Sequence, residues 1–145
     1  MVSIREMTGE DLEQVAKLEQ ELFSTPWSYQ SFQSTLSRGD TIYLVAEKDG
    51  RVVGYCGLMQ ILDEGDITHV AVDASCRRRH VAQSMLRHLL LLAKNRGVSQ
   101  ITLEVRESNL AARGLYQKLG FVEEGLRRNF YEKPTEHGVI MWKRS

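Results

Sequence analysis

The chain has 145 residues, of which 42% are hydrophobic and 26% charged, and its formal net charge is zero. These values are typical of one globular domain, so we expect a single domain over residues 1–145. A neutral chain has no basic surplus for direct binding to nucleic acid or to an anionic membrane, and we expect neither.

The sequence shows neither a targeting signal nor a metal-binding motif. No segment reaches the roughly 18 consecutive apolar residues that crossing a bilayer requires. The N-terminus is acidic by residue 13 without an apolar signal core, and Cys56 and Cys76 are isolated, so we expect a cytoplasmic protein. The histidines have no partners at zinc-ligand spacing, and we therefore expect no bound metal.

The N-terminal part of the chain predicts one strand followed by two helices. Residues 2–7 alternate as in a short strand. Thr8 is placed to cap a helix, and apolar residues at helical spacing continue to about residue 23. Pro26 interrupts this pattern, so residues 28–36 are predicted as a separate short helix.

Three strands are predicted next. The first two cover residues 41–48 and 51–61, and the Asp49-Gly50 pair between them is a strong signal for a two-residue hairpin turn. A fourth strand of the chain is predicted over residues 66–73.

The rest of the chain predicts two crossover helices and three strands. In order, these are a helix over residues 81–96 ended by Gly97, a strand over 100–105, a helix capped by Ser108 or Asn109 and ended by Gly120, and strands over 121–132 and 138–144. This order predicts an α/β fold with a mixed seven-stranded sheet and about four helices. Because a helix connects the fourth strand to the fifth, these two strands are predicted to be parallel.

Three consecutive arginines, Arg77, Arg78 and Arg79, stand between the fourth strand and the third helix. A loop that enters a helix from a strand presents unpaired backbone N–H groups and the positive end of the helix dipole. Arginine also binds phosphate well because its guanidinium is a planar fork. The residues alone leave two interpretations open: a phosphate or pyrophosphate site, or a solvated basic start of a helix.

The same segment resembles the pyrophosphate loop of the GNAT family of N-acetyltransferases, Q/R-x-x-G-x-G/A. Arg77 fills its first position, His80 its usual glycine position and Ala82 its last position. The stretch "LEVRESNLAARGLYQKLGF", residues 103–121, is very similar to the second half of the family's sequence. It closely resembles the family's ribosomal-protein-alanine branch. "TPWSYQSF" and "RRNFY" resemble that branch at its substrate-binding edges.

The resemblance covers nearly the whole chain and implies a GNAT fold, in which the fourth and fifth strands are splayed apart, and acetyl-CoA as cosubstrate. It implies that the cosubstrate contacts the backbone of Val70, Ala71 and Val72, the loop residues Arg77, Arg78, Arg79, His80, Val81, Ala82 and Gln83, and Asn109. We expect the backbone N–H groups of residues 78–83 to hold most of the pyrophosphate. His80 is expected in ordinary right-handed helical geometry, with its ring turned away from the diphosphate.

The resemblance also assigns two catalytic roles. Glu104 is the implied proton acceptor, directly or through a water, and Tyr116 is the implied proton donor to the leaving thiolate. The residues alone instead favour Glu104 as a surface carboxylate paired with Arg106, and Tyr116 as a core tyrosine. Asn109 could serve simply as a helix cap.

Three aromatic residues are implied to wall the slot for the acceptor substrate: Trp27, Phe130 and Tyr131. Ordinary packing in the core or in loops is the alternative for all three. Glu136-His137-Gly138 departs from the ribosomal-protein-alanine branch, and His137 is therefore a candidate for reshaping the substrate edge.

We therefore predict direct acetyl transfer from acetyl-CoA to the N-terminal alanine of a small-subunit ribosomal protein, by a monomer or weak dimer. An α-amine has a pKa near 8, so roughly a tenth of it is neutral at pH 7 and a modest base suffices. The alternatives are another protein N-terminus, a lysine or a small amine as acceptor, or a non-catalytic acyl-CoA-binding module.

Overall fold

The computed structural model describes residues 2–77 and 80–144, and these form seven strands and four α-helices. The strands are β1 (Ser3–Glu6), β2 (Thr41–Lys48), β3 (Arg51–Ile61), β4 (Glu64–Val72), β5 (Gln100–Arg106), β6 (Val122–Tyr131) and β7 (Glu136–Arg144). The helices are α1 (Leu12–Leu22), α2 (Tyr29–Leu36), α3 (Val81–Asn95) and α4 (Leu110–Lys118). The predicted α/β class and the predicted order of elements are confirmed.

All seven strands lie in one sheet of order β1-β2-β3-β4-β5-β7-β6. The neighbouring strands are antiparallel except for β4 and β5, which are parallel as the α3 crossover requires. The parallel ladder is short, because its last pair is Asp66 opposite Thr102. Beyond that pair the carboxyl-terminal parts of β4 and β5 have no ladder between them, which is the expected splay.

Two apolar clusters pack against the sheet. One contains Met85 and Leu89 of α3 with Leu44 of β2, and the other contains Phe32 of α2 with Val45 of β2. Since successive side chains of a strand point to opposite faces, these clusters lie on opposite sides of the sheet. The face under α1 and α2 and the face under α3 and α4 are thus both covered.

The predicted turns and caps explain where most elements end. Asp49 and Gly50 both have positive φ, 53° and 75°, as the two central residues of a type I′ hairpin do. Gly97 and Gly120 follow α3 and α4 with φ of 82° and 100°. Asn109, rather than Ser108, caps α4, because its side chain accepts a hydrogen bond from the N–H of Ala112 at 3.1 Å.

Within the residues described, no helix is both long and apolar enough to cross a membrane. In the same residues, no three histidine, cysteine or acidic side chains are grouped as a metal ion would require.

The close packing of Gly57 on Tyr43 generates a stability prediction. A Cβ at Gly57 would overlap the ring of Tyr43, whereas a Cβ at Gly39 would meet nothing within 4 Å. We expect Gly57→Ala to lower the free energy of unfolding by about 1–3 kcal/mol, measured by urea denaturation, because the buried ring must move. Gly39→Ala is the control and should unfold like the wild type. Equal stability of both variants would contradict the packing.

Candidate functional site

A cavity of about 600 Å³ opens where β4 and β5 diverge. Its walls come from α1, the loop between α1 and α2, β4, β5, α4 and the segment that joins β6 to β7. It brings together six of the sequence-predicted site residues: Trp27, Val70, Glu104, Asn109, Tyr116 and Tyr131. Trp27 and Tyr131, which are 104 positions apart in the sequence, therefore line the same cavity.

Glu104 reaches the cavity from the centre of β5. Its neighbours Leu103 and Val105 belong to the apolar cluster under α3, so alternation places the Glu104 side chain on the opposite face of β5. All three residues line the cavity, because it lies in the gap between β4 and β5. One carboxylate oxygen, Oε1, lies 3.2 Å from Nη2 of Arg127 on β6. The other, Oε2, is buried and accepts no hydrogen bond from the part of the chain that is described.

The surroundings of Glu104 favour its protonated form. Burial raises the pKa of Glu104 above its usual range, the positive charge of Arg127 opposes that rise, and the negative charge of Asp66 adds to it. A half-buried carboxylate with one unpartnered oxygen and a raised pKa is suited to accept a proton from a ligand in the cavity.

Arg106, the alternative partner of Glu104, is engaged elsewhere. Its guanidinium donates to the carbonyl oxygens of Glu132 and Pro134, both at 2.9 Å, and lies 3.3 Å from the carboxylate of Glu136. Its Cζ also stands 4.6 Å from the centre of the Tyr131 ring. Arg106 therefore holds the segment between β6 and β7 against β5, and does not neutralise Glu104.

Tyr116 lines the cavity from α4 and is only 7% exposed. Its ring packs against Phe121 at a centroid distance of 6.0 Å, so the core-packing interpretation is part of its role. Burial raises the pKa of Tyr116, and the phenol consequently keeps its proton at neutral pH. Asn109, at the start of the same helix, also combines two properties, since it caps α4 and lines the cavity.

The predicted pantetheine strand has an open edge. Val70, Ala71 and Val72 follow the last pair that β4 makes with β5, and their register partners lie on the other side, in β3. Their main-chain groups on the β5 side thus have no partner strand, and an extended ligand can pair with this edge. Arg77 lies close by, with its Nε donating to the carbonyl oxygen of Val72 at 3.4 Å.

The predicted anion loop is described in part. Arg78 and Arg79 lie outside the described residues. Val81, Ala82 and Gln83 form the first turn of α3, where the backbone N–H groups have no partners within the helix. These N–H groups and the helix dipole fit a phosphate group.

The expectation for the backbone of His80 is wrong. His80 is the N-cap of α3 and has left-handed geometry, with φ 58° and ψ 22°, instead of the right-handed geometry expected of a histidine. The chain must turn from extended Arg77 into α3 within a few residues, and this requirement outweighs the local preference of the side chain. His80 thus supplies the backbone shape for which a glycine is suited.

The three predicted aromatic residues divide into two groups. Trp27 and Tyr131 line the cavity, and burial together with the nearby Glu104 charge raises the pKa of Tyr131 to about 12. Phe130 does not line the cavity; it is exposed and lies beneath the guanidinium of Arg127 at 5.0 Å. His137 accepts a hydrogen bond from the N–H of Asn129 at 3.0 Å and so shapes the β6–β7 segment.

Among the cavity residues that the sequence did not single out, Glu19 and His69 form a buried ionisable pair. Both are buried, at 2% and 5% exposure. Burial alone would raise the pKa of Glu19, but the neighbouring His69 and hydrogen bonds from the backbone of Trp27 and the hydroxyl of Tyr55 hold it below its usual range. In the sequence, Glu19 follows Val15 by four residues and so lies on the apolar stripe of α1, a position that indicates a buried carboxylate.

Comparison with known proteins adds independent information. The sequence model of the acetyltransferase (GNAT) family matches residues 10–121. A putative [ribosomal protein bS18]-alanine N-acetyltransferase of Bacillus subtilis is 36% identical over 141 residues, covering 97% of this chain and 93% of the relative. The [ribosomal protein bS18]-alanine N-acetyltransferase of Escherichia coli K12 is 33% identical over 138 residues, covering 95% and 91%. The crystal structure of the ribosomal-protein-S18-alanine N-acetyltransferase from Escherichia coli superposes with a TM-score of 0.91 at 32% identity, covering 99% of this chain and 94% of that one.

The left-handed geometry of His80 predicts that glycine can replace this histidine without loss of stability. His80→Gly should keep or raise the melting temperature, because glycine adopts φ 58° without a steric penalty. His80→Val should lower the free energy of unfolding by about 1–2 kcal/mol relative to His80→Gly. Thermal denaturation followed by circular dichroism measures both, and a less stable glycine variant would contradict the left-handed assignment.

The ion pair between Glu104 and Arg127 predicts a pKa change. Arg127→Gln should raise the pKa of Glu104 further, because the positive charge that opposes its rise is removed. Carbon-13 NMR of the glutamate carboxyl groups, assigned with Glu104→Gln, measures the titration. Arg128→Gln removes the adjacent charge and should leave the pKa of Glu104 unchanged; a similar shift in both variants would argue against the pairing.

Proposed function

The chain belongs to the acetyltransferase (GNAT) family and is an N-acetyltransferase, and on that premise we propose that it acetylates the N-terminal alanine of ribosomal protein bS18 with acetyl-CoA. The observation that carries the proposal is the meeting of Glu104 and Tyr116 in one cavity at the divergence of β4 and β5. Relatives named for this reaction, similar over nearly the full length of the chain, support the choice of acceptor.

The residues of the site fit acetyl-CoA. The open edge of β4 at Val70, Ala71 and Val72 can hydrogen-bond to the amides of a pantetheine arm in the way that an added strand would. The first turn of α3 after His80 can bind a pyrophosphate through backbone N–H groups, with Arg77 beside it. Acetyl-CoA supplies an activated acetyl group as a thioester.

Glu104 serves as the proton acceptor for the α-ammonium group of the acceptor protein. Its unpartnered Oε2 can take the proton directly or through a water, and its raised pKa makes it a stronger base than an exposed glutamate. Only a modest base is needed, because roughly a tenth of an α-amine is already neutral at pH 7. A lysine side chain, with a pKa near 10.4, is almost entirely protonated at pH 7 and would need a much stronger base.

Tyr116 serves as the proton donor to the departing thiolate. Its hydroxyl is protonated at neutral pH and lies in the wall of the same cavity, and the tight packing around its ring holds it in place. A backbone N–H of β4 is the expected donor to the oxyanion that develops at the acetyl carbonyl.

Direct transfer between the two substrates is favoured over an acetyl-cysteine intermediate. Cys56 and Cys76 are buried, and neither lines the cavity. Burial raises the pKa of the Cys56 thiol, so it is not prepared as a nucleophile. We place this activity in the cytoplasm, in a single-domain monomer or weak dimer that needs no metal and makes no direct contact with nucleic acid.

The proposed roles predict the behaviour of two conservative variants. Glu104→Gln and Tyr116→Phe should each lower kcat by about 10²–10⁴-fold, because each removes one proton-transfer group. The dissociation constant of acetyl-CoA, measured by calorimetry, should change little, because neither group is needed to bind the pantetheine or the pyrophosphate. Turnover of both variants at the wild-type rate would refute the assignment of roles.

The acceptor is identified by competition between substrates. The purified enzyme is incubated with acetyl-CoA and a peptide that carries the N-terminal sequence of bS18, and mass spectrometry locates the acetyl group. A peptide with a blocked N-terminus and an internal lysine is the matched competitor, and Glu104→Gln is the control enzyme. Acetylation of the α-amine supports the proposal, whereas preference for the lysine peptide or a small amine would replace it with one of the alternative acceptors.

A further inference from the structure

The cavity contains a buried acid–histidine pair that the proposed chemistry does not use. Glu19 of α1 and His69 of β4 both line it, and both are almost completely inaccessible to solvent. His69 Nε2 lies 3.5 Å from Glu19 Oε2. Burying two ionisable groups is costly unless each is well partnered, so the contacts around them indicate what the pair is for.

Glu19 connects three separate parts of the chain. Its Oε1 accepts a hydrogen bond of 2.6 Å from the hydroxyl of Tyr55 on β3. Its Oε2 accepts a hydrogen bond of 2.9 Å from the backbone N–H of Trp27 and faces His69 on β4. The acceptor loop, which we define as residues 23–28 between α1 and α2, is therefore attached through its main chain to a buried carboxylate.

His69 supports the same loop through its ring. The rings of His69 and Trp27 meet edge to face, with centroids 4.3 Å apart and planes at 85°. On its other side, His69 Nδ1 lies 3.0 Å from the hydroxyl of Tyr43, which is itself 2.6 Å from Oγ1 of Thr68. These hydroxyl contacts fix the orientation of the imidazole that Trp27 packs against.

We propose that Glu19 and His69 are positioning residues that hold the acceptor loop in the form that binds the N-terminus of the acceptor protein. The proposal rests on the proposed function, because the acceptor loop walls the cavity through Phe23, Ser24, Thr25 and Trp27. The side chains of Glu19 and His69 contact the loop at Trp27. The predicted acetyl-CoA contacts nearest to them are main-chain groups of residues 70–72 on β4, directly after His69, and neither side chain is needed for those contacts. Their loss should therefore weaken binding of the acceptor and leave binding of acetyl-CoA unchanged.

A second buried carboxylate on the same side of the fold provides a matched control. Asp11, directly before α1, is 4% exposed and forms an ion pair with Arg5 at 2.8 Å. It also accepts a hydrogen bond from the backbone N–H of Thr8 at 2.8 Å, and it does not line the cavity. Asp11→Asn should lower stability without affecting the acceptor loop.

The kinetic test compares Glu19→Gln, His69→Asn and Asp11→Asn in the full-length enzyme. For Glu19→Gln and His69→Asn we expect the KM of the N-terminal peptide to rise about tenfold, as for the loss of a hydrogen bond to a charged group. The KM of acetyl-CoA and kcat should stay within about twofold of the wild type. Asp11→Asn should leave all three parameters unchanged, and equal effects on both substrates would overturn the proposal.

A second measurement does not depend on turnover. In a Trp142→Phe background, Trp27 is the remaining tryptophan, and its fluorescence reports on the acceptor loop. Quenching by acrylamide should increase in Glu19→Gln and in His69→Asn, but not in Asp11→Asn. Unchanged quenching in both pair variants would overturn the proposal.

The two proposals can fail separately. If the wild type does not acetylate the peptide, the proposed function fails, and quenching still decides whether Glu19 and His69 hold the acceptor loop. If Glu19→Gln does not fold, His69→Asn alone decides.

Discussion

The early end of the parallel ladder between β4 and β5 is the constraint on which the site depends. After Asp66 and Thr102 the two strands separate inside a sheet that is otherwise continuous, so an unpaired strand edge lies within the fold. Main-chain groups of such an edge need partners, and an extended ligand can provide them. The same gap opens the cavity into which α1, α4, β5 and the β6–β7 segment direct polar side chains.

Two of the three glutamates that line this cavity, Glu104 and Glu19, differ sharply in their surroundings. Glu104 has one oxygen near Arg127 and one without a partner, and its pKa is raised. Glu19 is more deeply buried, yet hydrogen bonds to both of its oxygens hold its pKa low. Contrasting environments of this kind separate acid–base roles. The proposed proton acceptor, Glu104, is thus the carboxylate with an unpartnered oxygen and a raised pKa, whereas the lowered pKa of Glu19 favours its ionised form.

Local patterns in the sequence were sufficient for most of the fold. The Asp49-Gly50 turn and the two helix-ending glycines depend on backbone geometry that nearby residues dictate, and the structure confirms them. The sequence left the cap of α4 between Ser108 and Asn109, and the structure places it at Asn109. His80 shows the limit of this reasoning. A histidine usually avoids positive φ, but the path from β4 into α3 imposes it, and a requirement set by distant elements cannot be seen in a local preference.

The sequence by itself determined the order of the elements, the parallel relation of β4 and β5, and the resemblance that singled out Glu104 and Tyr116, because periodicity, turn residues and contiguous motifs are local properties. The tertiary structure alone decided which groups surround them. Arg127 reaches Glu104 across β7, and Glu19 meets Tyr55 and His69 across 36 and 50 positions of the chain. The physical reason is that charge pairing and burial depend on distance in space, which strand order and packing set.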